Sequence, residues 1–128
     1  MLLEYFDDTS LARPVLLLYG NDPTEATALR DALGDLAAGV TRDLDVLDLP
    51  GFRGIDGCSL IAHVGEKSVG IEPMPGSLRS FRCSLDLSDW QLVSDLLEPF
   101  ATGTGGSQAF QYLTEAGIEW IISTHRGW

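Results

Sequence analysis

Few side chains in this 128-residue sequence are equipped for covalent chemistry, and their spacing limits what they can do. Histidine occurs at His63 and His125, cysteine at Cys58 and Cys83, and lysine only at Lys67. His63 lies in the run CSLIAHV, residues 58–64, whose alternation reads as a strand. Side chains alternate along a strand, so Cys58 and His63, five apart, face opposite ways. A cysteine–histidine nucleophile pair therefore does not form within this strand; Cys83, from another strand, is the thiol that would have to approach. Both cysteines occupy apolar strand positions, where a free thiol behaves as a small hydrophobe. His63 is left as the candidate for acid–base work, given a carboxylate and a pocket at the sheet. His125 sits in the chain's last residues and is expected to be exposed.

The carboxylates offer a second chemistry. Asp43, Asp45 and Asp48 are close in sequence, but Asp43 and Asp45 share a strand face that Asp48 need not share. No calcium-loop spacing and no clustered histidine or cysteine ligands accompany them, so they read as a solvated acidic edge. Two glycine-bearing stretches invite a phosphate reading. Residues 20–23, GNDP, lack spaced glycines or a Gly-Lys-Ser/Thr run, and Asp22 would repel a phosphate at the following helix. Residues 101–106, ATGTGG, precede a strand rather than a helix. No metal and no cofactor is called for by these motifs.

Charge is the most unusual property. Nineteen acidic and eight basic side chains give −11 at neutral pH. Residues 1–50 alone hold ten acids against three arginines. Such a field repels nucleic-acid phosphates and anionic headgroups and draws in basic partners. Aromatic side chains supply the other half of a binding surface, as anchors. Phe110 and Tyr112 share one face of their strand; Trp120 shares a face with Ile118 and Ile122. One of those faces must pack under a helix, and the other can stay open. Trp90 falls on the border of a helical stripe, and Trp128 ends the sequence.

These side chains need elements to position them. Residues 14–20, PVLLLYG, form an apolar run suited to a strand buried on both faces. Asp22 then caps a helix with Pro23 at its first position and Glu25 as capping-box partner, and Gly39 ends it. Ala26, Leu29, Leu33, Leu36 and Ala37 make its buried stripe. Residues 1–12 suggest a short edge strand or an arm. Residues 41–49 form a strand whose apolar phase breaks near Val46 and Leu47, requiring a bulge or a short turn. Residues 50–57 read as a loop. Residues 58–64 and 69–72 read as a hairpin, followed by a strand over 79–87. Ser88 is expected to cap the second helix, with Gln91 as its partner and Leu87 and Leu92 as a hydrophobic staple. Leu92, Val93, Leu96, Leu97 and Phe100 are its expected core stripe. A final hairpin pairs residues 107–113 with 118–124.

The order is β-α-β-β-β-β-α-β-β in a single α+β domain over residues 1–128. The expected architecture is a two-layer sandwich: one mostly antiparallel sheet of six to seven strands, covered on one face by two helices. No apolar run reaches the roughly 20 residues of a membrane span, and the N-terminus lacks a basic, apolar leader, which points to the cytoplasm. The function expected is a small acidic protein-binding domain, of the kind that inhibits or confers immunity to a basic toxin or nuclease. Steering would come from Asp31, Asp35, Asp43, Asp45 and Asp48, and anchoring from Trp90, Tyr112 or Trp128. Nucleic acid and membrane are not expected partners. The alternatives are a small enzyme or ligand-binding domain using His63, and a homodimer or larger homo-oligomer closed through the open sheet face.

Overall fold

A computed structural model describes residues 1–7, 13–106, 109–115 and 117–127. The elements run in order as strand β1 (Leu2–Phe6), strand β2 (Val15–Tyr19), helix α1 (Pro23–Ala37) and strand β3 (Asp43–Asp45). A 3-10 turn over Val46–Asp48 leads to strand β4 (Arg53–Gly54) and a second such turn over Ile55–Gly57. Strands β5 (Ser59–Val64), β6 (Gly70–Pro73) and β7 (Ser80–Leu85) follow. Helices α2 (Leu87–Leu96) and α3 (Glu98–Thr102) precede strands β8 (Phe110–Thr114) and β9 (Glu119–Ser123).

The class is α+β, but the single antiparallel sheet is replaced by two mixed sheets. One has five strands in the order β4-β1-β2-β9-β8; the other has four, β3-β5-β7-β6. In the first, β2 and β9 are parallel while β1–β2 and β8–β9 are antiparallel. In the second, β5 and β7 are parallel, flanked by antiparallel β3 and β6. The hairpin expected between residues 58–64 and 69–72 is therefore absent: β7 sits between β5 and β6. Local alternation is the same for either pairing, so tertiary packing decides it. An antiparallel bridge between Ile71 and Ile118 links the two sheets, and the Tyr5 ring of β1 meets Phe81 of β7 at 4.7 Å.

One core fills the space between the inner sheet faces and the helices. Leu3, Leu16, Leu18, Trp120 and Ile122 come from the first sheet, and Leu60, Ala62, Phe81, Cys83 and Leu85 from the second. Helix α1 contributes Ala26, Leu29, Leu33 and Leu36, at the spacing expected. Burying each large side chain of this set stabilises the fold by about 1.5–3 kcal/mol. Strand β2 is buried on both faces: Val15 and Leu17 form a second cluster with Ile121 on the outer side. The chain's end crosses that outer side. Arg126 lies 5.2 Å from the centre of the Phe6 ring and bonds both Glu4 oxygens at 3.0 Å.

The helix starts are set by side-chain caps. Asp22 accepts from the Thr24 N–H at 2.9 Å, with Pro23 in the first turn, as expected. Gly39, at φ +75°, provides the left-handed residue that stops α1. Helix α2 begins two residues earlier than expected. Asp86, not Ser88, is its cap, accepting from the Asp89 N–H at 2.9 Å. This overturns the Leu87–Leu92 staple, since both leucines are exposed. Of the expected stripe, Val93, Leu97 and Phe100 are buried and Leu96 is half-buried, but Leu92 is exposed; Trp90 takes the inner place, giving Trp90, Val93 and Leu97 at i, i+3, i+7. Residues 41–49 take the short-turn solution: β3 ends at Asp45, whose carboxylate accepts from the Leu47 N–H and caps the 3-10 turn.

Candidate partner-binding site

The five acids expected to steer a partner follow the second half of α1 and the edge strand β3. Asp31 is exposed and pairs with Arg30 at 3.1 Å. Arg30 also bonds Glu98 of α3 at 2.8 Å, so α1 and α3 are tied by charge. Asp35 and Asp48 are exposed, and among the described residues neither makes an ion pair. Asp43 bonds His63, and Asp45 serves as a cap. Asp35 and Asp48 thus project their charge, while Asp31, Asp43 and Asp45 also carry local structural bonds. An edge strand bearing carboxylates resists pairing with another sheet.

The aromatic anchors divide differently from expectation. Trp90 is a core residue, 0% exposed, which overturns its assignment to a partner surface. Its Nε1–H donates to the His63 carbonyl at 2.9 Å, and its ring meets Trp120 edge-on at 6.4 Å. Moving the helix cap from Ser88 to Asp86 accompanies this change: Trp90, rather than Leu92, lies on the inner stripe. Trp120, Ile118 and Ile122 form the covered face of β9. Tyr112 and Phe110 occupy the opposite face of β8 and are 37% and 52% exposed. Their rings meet edge to face at 6.2 Å, a favourable aromatic contact. Trp128 lies outside the described residues.

Strand β8 is an edge of its sheet, so its backbone is unpaired by strand on one side. The Gln111 amide covers part of that edge by donating to the Tyr112 carbonyl at 3.0 Å. A bulge falls between Tyr112 and Thr114. It buries Leu113 and brings Thr114 opposite Trp120. Beyond the bulge is a cleft of about 190 Å³ lined by Val69, Leu92, Val93, Leu113 and Thr114, with Asp89 and Glu115 also on its wall. Val69 and Leu92 are exposed. Sequence reasoning missed this cleft because it joins three separated segments. The available signal was Leu92, which falls off the Trp90–Val93–Leu97 stripe.

His63 lies on the outer face of the second sheet. Its Nδ1 is 2.6 Å from Asp43 Oδ1. Asp43, His63 and Ser84 face one another in register across β3, β5 and β7. An open groove of about 640 Å³ runs here, lined by His63, Glu66, Lys67, Arg82 and Ser84. Asp43 can fix the orientation of the imidazole, but the surroundings are an open, mixed-charge sheet face rather than a water-excluding pocket. Cys83 does not approach His63: it sits on the inner face, 0% exposed. Burial pushes its thiol up to about 12, and burial likewise raises Cys58 to about 11, so both are inert neutral groups at neutral pH.

A third charged group lies on the outer face of the first sheet. The Arg126 guanidinium holds Glu4 below the ordinary carboxylate range against the opposing effect of burial, helped by the Tyr19 hydroxyl at 3.0 Å. This cluster fastens the chain's end to β1 and β2. Among the described residues no helix is long and apolar enough to cross a membrane, and no three histidine, cysteine or acidic side chains converge as metal ligands. The chain matches no family model, no curated protein and no solved structure.

Proposed function

We propose that this chain is a small acidic protein-binding domain of the cytoplasm, which captures a basic protein in the manner of an inhibitor or immunity partner. The reading is carried by one observation: the Phe110–Tyr112 pair, its rings in edge-to-face contact, stands exposed on edge strand β8 of a chain with net charge −11. Exposed aromatic pairs supply large contact area at low entropic cost, and surrounding negative charge raises the encounter rate with a cationic protein. Exposed Asp35 and Asp48 add to that field. Free, buried Cys58 and Cys83 suit a reducing compartment.

The test is affinity capture from the source organism, at low and moderate salt, with the wild-type chain and a Phe110→Ser/Tyr112→Ser bait. A basic protein retained by the first and lost by the second, more weakly held as salt rises, supports the reading. Equal retention by both baits, or enrichment of no basic protein, overturns it. Homodimerisation through the outer face of the second sheet is less well supported. That face carries Asp43, Asp45, His63, Glu72, Arg82 and Ser84, a polar set unlike the apolar centre of most homodimer interfaces.

A further inference from the structure

We infer that the cleft between α2 and the end of β8 is the anchor pocket for an aliphatic side chain of that partner, presented in a basic segment. The inference rests on the protein-binding reading above and names the chemistry that the site selects. Three observations support it. First, the cleft measures about 190 Å³, below the roughly 300–1,000 Å³ typical of small-molecule sites. It is of the size for a side chain or two. Its walls are aliphatic: Val69, Leu92, Val93 and Leu113. Leu92 and Val69 are 56% and 42% exposed, so contact with a partner would remove apolar surface from water that folding leaves in it.

Second, the charged groups on the wall are both acidic, Asp89 and Glu115. Asp89 is positioned by the Ser68 hydroxyl, which also accepts from the Asp86 N–H at 3.1 Å. An aliphatic side chain flanked by lysine or arginine matches this wall, and one flanked by acids is repelled. Third, Thr114 Oγ1 is buried on the wall with no hydrogen-bond partner among the described residues. Its cross-strand neighbour Trp120 has an unpaired Nε1 as well. Buried polar atoms are nearly always paired, so this unpaired hydroxyl, covered from solvent behind the cleft wall, gains a partner when the side chain turns into the cleft toward a polar atom from outside. The Phe110–Tyr112 pair lies on the other face of the same edge strand, within about 15 Å of the cleft by strand rise, so a partner that wraps the β8 edge engages both.

The experiment is a titration of the isotope-labelled chain with three blocked hexapeptides, alternating Lys and Leu, Lys and Ser, or Glu and Leu, followed by amide NMR shifts. The Lys/Leu peptide is expected to shift Val69, Asp89, Leu92 and Thr114, and to weaken as salt rises. The other two are expected to bind at least about tenfold more weakly, the worth of one anchor contact. Leu92→Glu, on an exposed helical position, should abolish the shifts without unfolding the chain. Thr114→Val gives a readout that a merely structural hydroxyl would not: higher thermal stability of the free chain, with peptide binding weaker by about fivefold to tenfold. Equal binding of the Glu/Leu peptide, shifts located away from the cleft, or binding unaffected by Leu92→Glu overturns the inference. Shifts at the cleft that grow with protein concentration alone assign it to a second copy and also overturn it. If capture fails for Phe110→Ser/Tyr112→Ser but persists for Leu92→Glu, the cleft inference falls and the protein-binding reading stands.

Discussion

Replacing Trp90 by phenylalanine, beside Leu92 by serine, tests the helix register on which the site depends. Trp90 is wholly buried and its indole N–H bonds the His63 carbonyl at 2.9 Å. Phenylalanine keeps an aromatic ring but removes that donor. Losing the bond costs about 1 kcal/mol, toward the low end because the carbonyl oxygen has a second acceptor site for its sheet neighbour. The smaller ring also leaves about 40 Å³ unfilled, which at roughly 24 cal/mol per Å³ adds about 1 kcal/mol. The edge-on contact with Trp120 is weakened too, worth up to about 0.5–1 kcal/mol. The expected loss is therefore about 2–3 kcal/mol. Leu92→Ser, at a position 56% exposed, should change stability by no more than about 0.5 kcal/mol. Urea unfolding followed by far-ultraviolet circular dichroism measures both. At a slope of about 1–3 kcal/mol/M, Trp90→Phe lowers the midpoint by roughly 1 M or more, with the slope unchanged. A larger loss for Leu92→Ser than for Trp90→Phe would refute the register and, with it, the exposed cleft.

Other consequences are open to measurement. Asp22→Ala and Asp86→Ala each remove a helix cap and should each destabilise by about 1 kcal/mol in urea unfolding, whereas Ser88→Ala should cost less than Asp86→Ala. Cys58 and Cys83 should resist a thiol reagent at mild alkaline pH in the native state and react on unfolding. Their raised values, about 11 and about 12, mean that the native state keeps protons which the unfolded chain releases above the ordinary thiol value of 9.0. Their contribution to stability is fully present below pH 9.0 and is lost as pH rises toward 11 and 12, visible as a falling urea midpoint. Glu4 has the opposite sign: its lowered value gives stability that is present above 4.5 and lost as pH falls. Arg126→Ala should flatten that acid limb of the pH–stability curve.

Parts of this architecture were legible from local pattern alone. Helix α1 is the clearest case. Its cap Asp22, first-turn Pro23 and stripe of Ala26, Leu29, Leu33 and Leu36 are short-range features that the fold keeps, whereas Glu25, the expected capping-box partner, is instead bonded by the Met1 ammonium at 2.6 Å. The final hairpin and the shared face of Phe110 and Tyr112 are legible too, because alternation fixes faces within a strand; their separation from Trp120 depends on the pairing register, which carries a bulge between Tyr112 and Thr114. Helix α2 was misread for a physical reason. Asp86, Ser88 and Asp89 can all cap a helix, and Leu92 extends the Val93–Leu97 stripe on one side as readily as Trp90 does on the other. Nothing local separates the two phases. Packing against β5 and β9, where Trp90 meets both the His63 carbonyl and Trp120, selects one. The candidate site suffered accordingly: Trp90 was offered to a partner and Leu92 to the core, the reverse of their places.

Sequence by itself determined the α+β class, the helix at α1, the final hairpin and the surplus of negative charge. Each depends on neighbours a few residues apart or on a sum over the whole chain. Only the tertiary structure decided that there are two sheets, that β5 pairs with β7 rather than β6, and that Val69, Leu92 and Thr114 meet at one cleft. Those outcomes join segments tens of residues apart. Alternation tells a strand which face to bury but not which strand to pair with, and the choice is made by how the core side chains fill one shared space.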